Sequence, residues 1–375
     1  MKITGAVLRE SEPSRPYSHS APLAIVKLEL APPGPGEVLI RIETAGLCHS
    51  DLSVVNGSRP RPLPMLLGHE AAGLVEEIGS GATDLEIGQR VVTVFLSRCE
   101  ECPACLTGGK LPCEAGTRTN TAGVLPSGEN RLSQNGQPIN HHLGISGFAT
   151  HAVVDRRSVV PVGADVPPQV AAVLGCAVLT GGGAVKNAGA LQPGQDVIVI
   201  GLGGVGMAAI LTALAITSAS GGRVIGIDAM PEKLVAAREM GAHDAATPAE
   251  AIERGLNAPV VIEAAGHPRA FETAVILTAP GGITVTAGLP SPDVTATITP
   301  LILTAEARTI VGSYLGSAVP ARDIPEYERM WREGTLPVEK LTSSTVPLHE
   351  INAALDVLDE GLAIRQMISF EEARS

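Results

Sequence analysis

The chain is short of positive charge. Its 27 lysines and arginines face 39 aspartates and glutamates, a formal net charge of −12 at pH 7. That deficit argues against nucleic acid or an anionic membrane surface as the main partner. The opening stretch, MKITGAVLRE, lacks an apolar run followed by a small-residue cleavage site. It does not read as a secretory signal, and a cytoplasmic protein is expected. Internal repeats and a low-complexity tail are also missing. Aromatic residues make up only 2% of the 375 residues, which leaves a substrate pocket short of rings. Cysteine is equally scarce: there are six, and four of them fall within CEECPACLTGGKLPC, residues 99–113.

What remains is the composition of a globular chain, 45% hydrophobic and 18% charged, long enough for two domains. One run, Val197 to Gly222, carries no charge. It exceeds the ~18 residues that a membrane span needs. It opens with the β-branched quartet VIVI and then a glycine turn, so a buried strand followed by a buried helix is expected.

Clustered cysteines in a chain without a secretory signal are more often metal ligands than disulfides. Cys99, Cys102, Cys105 and Cys113 have the spacing C-x2-C-x2-C-x7-C. Four thiolates complete a closed tetrahedral zinc shell, which suits structure and not catalysis. An iron–sulfur cluster uses the same ligands and is the rival metal; unliganded thiols on a loop are the third reading. Of the other two cysteines, Cys48 lies in AGLCHSDL and Cys176 in AAVLGCAVL, and each alone reads as core packing. With His69, in LLGHEAAG, they supply two sulfurs and an imidazole. That set is a catalytic zinc shell whose fourth position stays open to water or substrate. The long separations do not by themselves make the three converge.

The stretch DVIVIGLGGVGMAAILTALA reads as strand, turn and helix. Gly201, Gly203 and Gly206 form the G-x-G-x-x-G dinucleotide fingerprint, and Gly204, Val205 and Thr180 join them as cofactor-binding candidates. A helix N-terminus there offers free N–H groups to a pyrophosphate. A second strand, GRVIGID, ends at Asp228, whose carboxylate would accept the adenosine ribose hydroxyls and repel a 2′-phosphate. The following AMPEK brings no arginine, so the cofactor reads as NAD and not NADP.

Taken in order, the Cys48-His49-Ser50-Asp51 stretch, GHEAAGLVEEIGSGA, the four-cysteine lobe, Cys176 and GLGGVG carry a resemblance over nearly the whole chain. The sequence resembles the zinc-dependent alcohol dehydrogenases of the medium-chain dehydrogenase/reductase family. Within it, the stretch after Cys113 is similar to the long-loop branch of glutathione-linked formaldehyde and aryl-alcohol dehydrogenases. The resemblance implies two Zn2+ per chain, with Cys48, His69 and Cys176 holding the catalytic ion. It matches Glu70 to a carboxylate behind that metal and Asp51 to the group that orients a histidine ligand. Ser50 matches the hydroxyl that takes the alcohol proton. His49 and Arg365 match basic residues at the cofactor phosphates, and Lys233 a lysine at the adenosine ribose. The implied chemistry is hydride transfer from an alcohol to NAD, with zinc as a moderate Lewis acid.

Two positions depart from the family pattern. Ser53 stands where many members end the proton relay in a histidine. Thr117 stands where the glutathione-linked enzymes carry an arginine for a substrate carboxylate, with Arg118 adjacent. Phe95, His142 and Leu315 are candidates for lining the pocket.

The expected fold is α/β: a doubly wound parallel Rossmann sheet plus a mostly β, GroES-like catalytic domain. Residues 1–178 form the catalytic zinc domain with the structural-zinc lobe at 96–114. Residues 179–320 form the NAD-binding domain, and 321–375 return to the catalytic domain. The expected partner is a small alcohol or aldehyde, and the family suggests a homodimer or homotetramer, with a dimer edge near RTIVGSYLG. Oxidation of a thiol–formaldehyde adduct is the alternative activity. A non-catalytic NAD-binding sensor or scaffold is a distant one.

Overall fold

The β-branched runs of the N-terminal part become strands. EVLIRIETAGL forms the longest early one, Glu37–Leu47, buried along most of its length. It pairs antiparallel with Glu70–Ile78 on one side, and with His151–Asp155 and Gln366–Ser369 on the other. A second sheet is organised around the antiparallel pair Lys2–Leu8 and Leu23–Leu30. Ile40, Leu47, Leu52, Phe148, Leu355 and Ile368 belong to one buried cluster beneath these strands. This structure, a computed structural model, describes residues 1–370.

The pairing register decides where the chemistry lies. Gly46 stands opposite Glu70, and Leu47 opposite Gln366. Cys48, His69 and Arg365 each lie one residue beyond a paired position, so three distant segments deliver them to one end of the sheet. A fourth segment is helical from Pro168 to Ala188 and apolar enough to cross a membrane, but 89% of its apolar window is buried inside the protein. Its turns widen to π geometry at Leu174–Val178, the stretch that carries Cys176. Such local widening re-aims side chains and recurs at functional sites.

In the second half, strands and helices alternate, and the strands form one parallel sheet. Its spatial order is Asp244–Ala246, Val224–Ile227, Val197–Ile200, Ala258–Glu263, Thr278–Thr286, Thr309–Gly312. Numbered along the chain this is 3-2-1-4-5-6, the order of the dinucleotide-binding doubly wound fold. The uncharged run divides as the glycine turn suggests, into strand Val197–Ile200 and helix Gly204–Thr217. Gly206 lets that helix pack back on the turn, because a Cβ there would lie 1.8 Å from the Gly201 carbonyl oxygen. Gly201 itself sits at φ +88°, and a Cβ there would lie 2.5 Å from Ala265 N.

The chain divides into two compact units, residues 1–107, 112–176 and from 342 onward, and residues 108–111 with 177–341. The return to the first unit therefore comes at Thr342 and not at 321. The helix Pro320–Arg332 explains the delay. Its Tyr327 is fully buried beside Gly182 and Thr212, and Asn187 donates to its Asp323 at 3.3 Å. These are contacts within the second unit. Four residues of the expected lobe, Gly108–Leu111, likewise group with that unit.

The glycine geometry separates two roles inside one motif. Gly206→Ala is expected to lower the melting temperature, since relieving a 1.8 Å approach forces helix and turn apart, an overpacking cost of about 1–3 kcal/mol. Gly203→Ala is expected to leave the melt unchanged, because a Cβ there meets nothing within 4 Å. Circular dichroism melts of the two variants check this; equal shifts would refute it.

Candidate active site

Cys48 caps the short helix His49–Val55, and Asp51, at its third position, accepts the Cys48 backbone N–H on Oδ2 at 3.0 Å. This reciprocal capping fixes the carboxylate. Its other oxygen, Oδ1, lies 3.1 Å from His69 Nδ1. That contact turns the opposite ring nitrogen, Nε2, toward Cys176, whose Sγ is 3.5 Å away. Cys48, His69 and Cys176 present their ligand atoms within 4.8 Å of one another, and all three are buried.

These distances fit zinc. With Zn–S of about 2.3 Å and Zn–N of about 2.0–2.1 Å, tetrahedral geometry separates sulfur and nitrogen by about 3.6 Å. The protonation pattern fits as well. Without a cation, Cys48 is held well below the usual thiol range by its hydrogen bond with Cys176, while sharing that proton pushes Cys176 well above it. Burial opposes a charge on His69, yet Asp51 raises it to about 10. Burial would raise Asp51 too, but His69 and His142 hold it at about 2. A divalent ion replaces the protons on such a set and lets both sulfurs ionise.

Glu70 lies behind these ligands with no exposure, and burial pushes its carboxyl up to about 7 despite the nearby Arg365. Gly46 makes room for it, since a Cβ there would lie 2.3 Å from Glu70 Oε1. Arg365, matched by the resemblance to a cofactor-phosphate contact, is tied to groups of the first unit. It is buried, its Nε is 3.4 Å from Glu70 Oε1, and its Nη1 donates to the Leu47 carbonyl at 3.0 Å. The register that sets Gln366 opposite Leu47 puts the guanidinium beside the buried anion. His49 is exposed and Ser50 half-buried on the first turn of the capped helix. The Ser53 hydroxyl donates to the His49 carbonyl at 2.8 Å.

The four lobe cysteines form a second group within ligand reach, and all six cysteines are free. Cys99 Sγ and Cys105 Sγ are 3.9 Å apart. That is far from the ~2.05 Å of a disulfide and close to the ~3.8 Å edge of a zinc tetrathiolate. Backbone N–H groups of Cys99, Cys102, Cys105 and Gly116 each reach a lobe sulfur at 3.4 Å. N–H donors aimed at sulfur favour thiolates: those of Glu114 and Cys105 hold Cys102 at about 6, whereas burial pushes Cys105 to about 12. Arg98, which sequence reading passed over, is buried and donates to the Ala104 and Cys105 carbonyls at 3.3 Å.

In the second unit, the turn Gly201–Gly203 leads into the N-terminus of helix Gly204–Thr217, with Val205 in its first turn. Asp228 does more than end a strand. Its Oδ2 accepts from Leu202 N at 2.7 Å and its Oδ1 from Met230 N at 3.0 Å. Lys233 is half-buried on the following helix, and Thr180 is buried. Of the pocket candidates, Phe95 stands edge-on to His69 at 5.6 Å, and Leu315 is buried in the second unit. His142 is more than lining: it is fully buried, with Nδ1 3.3 Å from Asp51 Oδ1. The doublet His141-His142 was its only mark in the sequence.

Comparison with known proteins gives the family. Residues 34–164 match the alcohol dehydrogenase GroES-like domain, and residues 204–333 the zinc-binding dehydrogenase domain. The chain is 33% identical over 365 residues to S-(hydroxymethyl)glutathione dehydrogenase of Escherichia coli O1:K1 / APEC, covering 94% of this chain and 98% of that one. It is 32% identical over 360 residues to the protein of the same name from Synechocystis sp., covering 93% and 96%. Among solved structures, benzyl alcohol dehydrogenase from Acinetobacter calcoaceticus superposes with a TM-score of 0.88 at 28% identity, covering 99% of this chain and 100% of that one. An alcohol dehydrogenase zinc-binding domain protein from Burkholderia ambifaria gives 0.90 at 28% identity, with the same coverage. The chain therefore belongs to the zinc-dependent alcohol dehydrogenases of the medium-chain dehydrogenase/reductase family and is an NAD-dependent oxidoreductase.

Proposed function

We propose that this enzyme oxidises free alcohols to aldehydes or ketones, with NAD preferred over NADP and no thiol cosubstrate. The observation that carries the substrate reading is Thr117, exposed and uncharged where a carboxylate-binding arginine would serve a glutathione adduct. The curated relatives named for S-(hydroxymethyl)glutathione favour the second reading, a thiol–formaldehyde adduct, and the exposed Arg118 beside Thr117 would serve it.

Bound at Cys48, His69 and Cys176, zinc supplies a Lewis acid for the carbinol oxygen, and NAD supplies the hydride acceptor. The protein's own groups do the rest. Asp51 keeps His69 in the Nδ1–H tautomer, so Nε2 keeps its lone pair for the metal. The Ser50 hydroxyl takes the alcohol proton. Ser53 does not extend that relay, because its hydroxyl hydrogen is already donated to the His49 carbonyl. The proton leaves Ser50 by another route, the cofactor ribose or water.

Three measurements test this reading. An NADH-formation screen of primary, secondary and aryl alcohols is expected to show turnover that added glutathione does not raise. Activity on formaldehyde only with glutathione present would favour the adduct instead.

The two metal sites divide the labour. Cys48→Ala is expected to abolish turnover while the second unit still binds NADH. Cys102→Ala should first lower the melting temperature, because in a closed shell metal binding is folding energy. Turnover, NADH fluorescence and thermal melts on both variants check this. Near-normal turnover in Cys48→Ala would reverse the assignment.

Asp228→Asn keeps an oxygen for one backbone donor and removes the charge facing a 2′-phosphate. The NAD/NADP ratio of kcat/KM is expected to fall by about 1–3 kcal/mol, the worth of a charged hydrogen bond. An unchanged ratio would take Asp228 away from the ribose.

A further inference from the structure

We propose that His142 is a positioning residue for the catalytic metal, holding the carboxylate that in turn holds the ligand His69. The inference rests on the zinc reading of Cys48, His69 and Cys176. Asp51 is fully buried and has three neighbours that can donate to it. Cys48 N reaches Oδ2 at 3.0 Å, while His69 Nδ1 at 3.1 Å and His142 Nδ1 at 3.3 Å share Oδ1. The two imidazoles stand nearly perpendicular, 85° apart with centroids 5.5 Å from each other, and bracket the carboxylate.

His142 Nδ1 makes no aligned hydrogen bond, and this carboxylate oxygen is the partner within its reach. A buried N–H left without a partner costs about 1–3 kcal/mol. A small rotation of the ring toward Oδ1 removes that cost and fixes the Nδ1–H tautomer of His142, as Asp51 fixes that of His69.

The backbone that carries the ring is pinned independently. His142 N donates to Ser146 Oγ at 3.0 Å, and the His142 carbonyl accepts from Ile145 N and Ser146 N at 3.0 and 3.2 Å. The turn that makes these bonds puts two non-glycine residues in the left-handed region, Leu143 at φ 53° and Ser146 at φ 60°. Strain of this kind persists where the surroundings over-determine it, and it clusters at functional sites. Here it presents one imidazole to one buried carboxylate.

The consequence concerns metal retention. A buried carboxylate is held in one orientation by the donors that surround it, here Cys48 N, His69 Nδ1 and His142 Nδ1. Removing His142 takes away one of three and leaves Oδ1 free to swing, so His69 loses its fixed tautomer and orientation. Partners at this distance from a metal are worth about 10–100-fold in affinity or activity.

The test compares wild-type protein, His142→Leu and His142→Asn, where the asparagine Nδ2 stands near the lost Nδ1. Zinc release to a chelating dye is followed over time, with the lobe zinc as the internal reference. His142→Leu is expected to release one of its two zincs about 10–100-fold faster, with the lobe phase unchanged, while His142→Asn releases both as the wild type does. With cobalt in the catalytic site, the visible bands should move in His142→Leu and overlay the wild type in His142→Asn. A merely structural role would move the melt and not these bands. Unchanged release and bands in His142→Leu overturn the inference, as does His142→Asn behaving like His142→Leu. A wild-type protein holding only the lobe metal would overturn the zinc reading itself, a result visible before any variant is made.

Discussion

Negative charge without water governs this structure. Cys48, Asp51, Glu70 and Cys176 are all buried within one small region, with the guanidinium of Arg365 buried beside Glu70. Ionised groups in such a place cost several kcal/mol each unless they are compensated. In the absence of metal, protons do the compensating: Cys176 and Glu70 are both pushed up, Glu70 to about 7. A divalent ion is the economical alternative, because it neutralises both sulfurs at once and leaves Arg365 for Glu70. The geometry of the first unit follows from this need. Three strand ends converge on one point, and a widened helical turn brings the second sulfur to it.

Much of this was legible in the sequence, for particular reasons. The lobe is local: four ligands in fifteen residues, with N–H donors that come from the same loop. The glycine fingerprint is local too, and its strand, turn and helix appear where the alternation put them. The catalytic set is not local. His69 and Cys176 are 107 residues apart in sequence, yet their ligand atoms lie 3.5 Å apart. Residues alone offered Cys48, His69 and Cys176 as a shell; register and a π turn bring their ligand atoms within 4.8 Å of one another. Arg365 carries a placement that only the fold supplies: the pairing of Gln366 with Leu47 sets its guanidinium beside Glu70. The domain return was misplaced because an amphipathic helix such as Pro320–Arg332 does not announce which core it joins; only the burial of Tyr327 decides that.

Asp228 illustrates how one side chain can serve fold and specificity together. Its carboxylate closes the glycine turn at Leu202 and accepts the Met230 N–H just before the next helix. Each oxygen has further lone pairs, so these bonds leave room for ribose hydroxyls. A motif of this kind is hard to move toward NADP by deleting the acid, since the backbone donors that it satisfies would be left unpaired. This is why the amide, which keeps an acceptor, separates charge from architecture more cleanly than glycine does.

The lobe carries the charge argument to its second location. A zinc tetrathiolate keeps two net negative charges, which in water would be solvated and in a partly buried loop must be matched. The backbone N–H groups share part of that task, and the buried guanidinium of Arg98 lies in the same loop, tied to the carbonyls of Ala104 and Cys105. Arg98 therefore closes the loop mechanically and opposes its charge, much as Arg365 does beside Glu70. Both metal shells are built by the same rule. Acidic ligands are gathered at one point, backbone N–H groups supply donors, and a buried arginine offsets part of the charge that the metal leaves over.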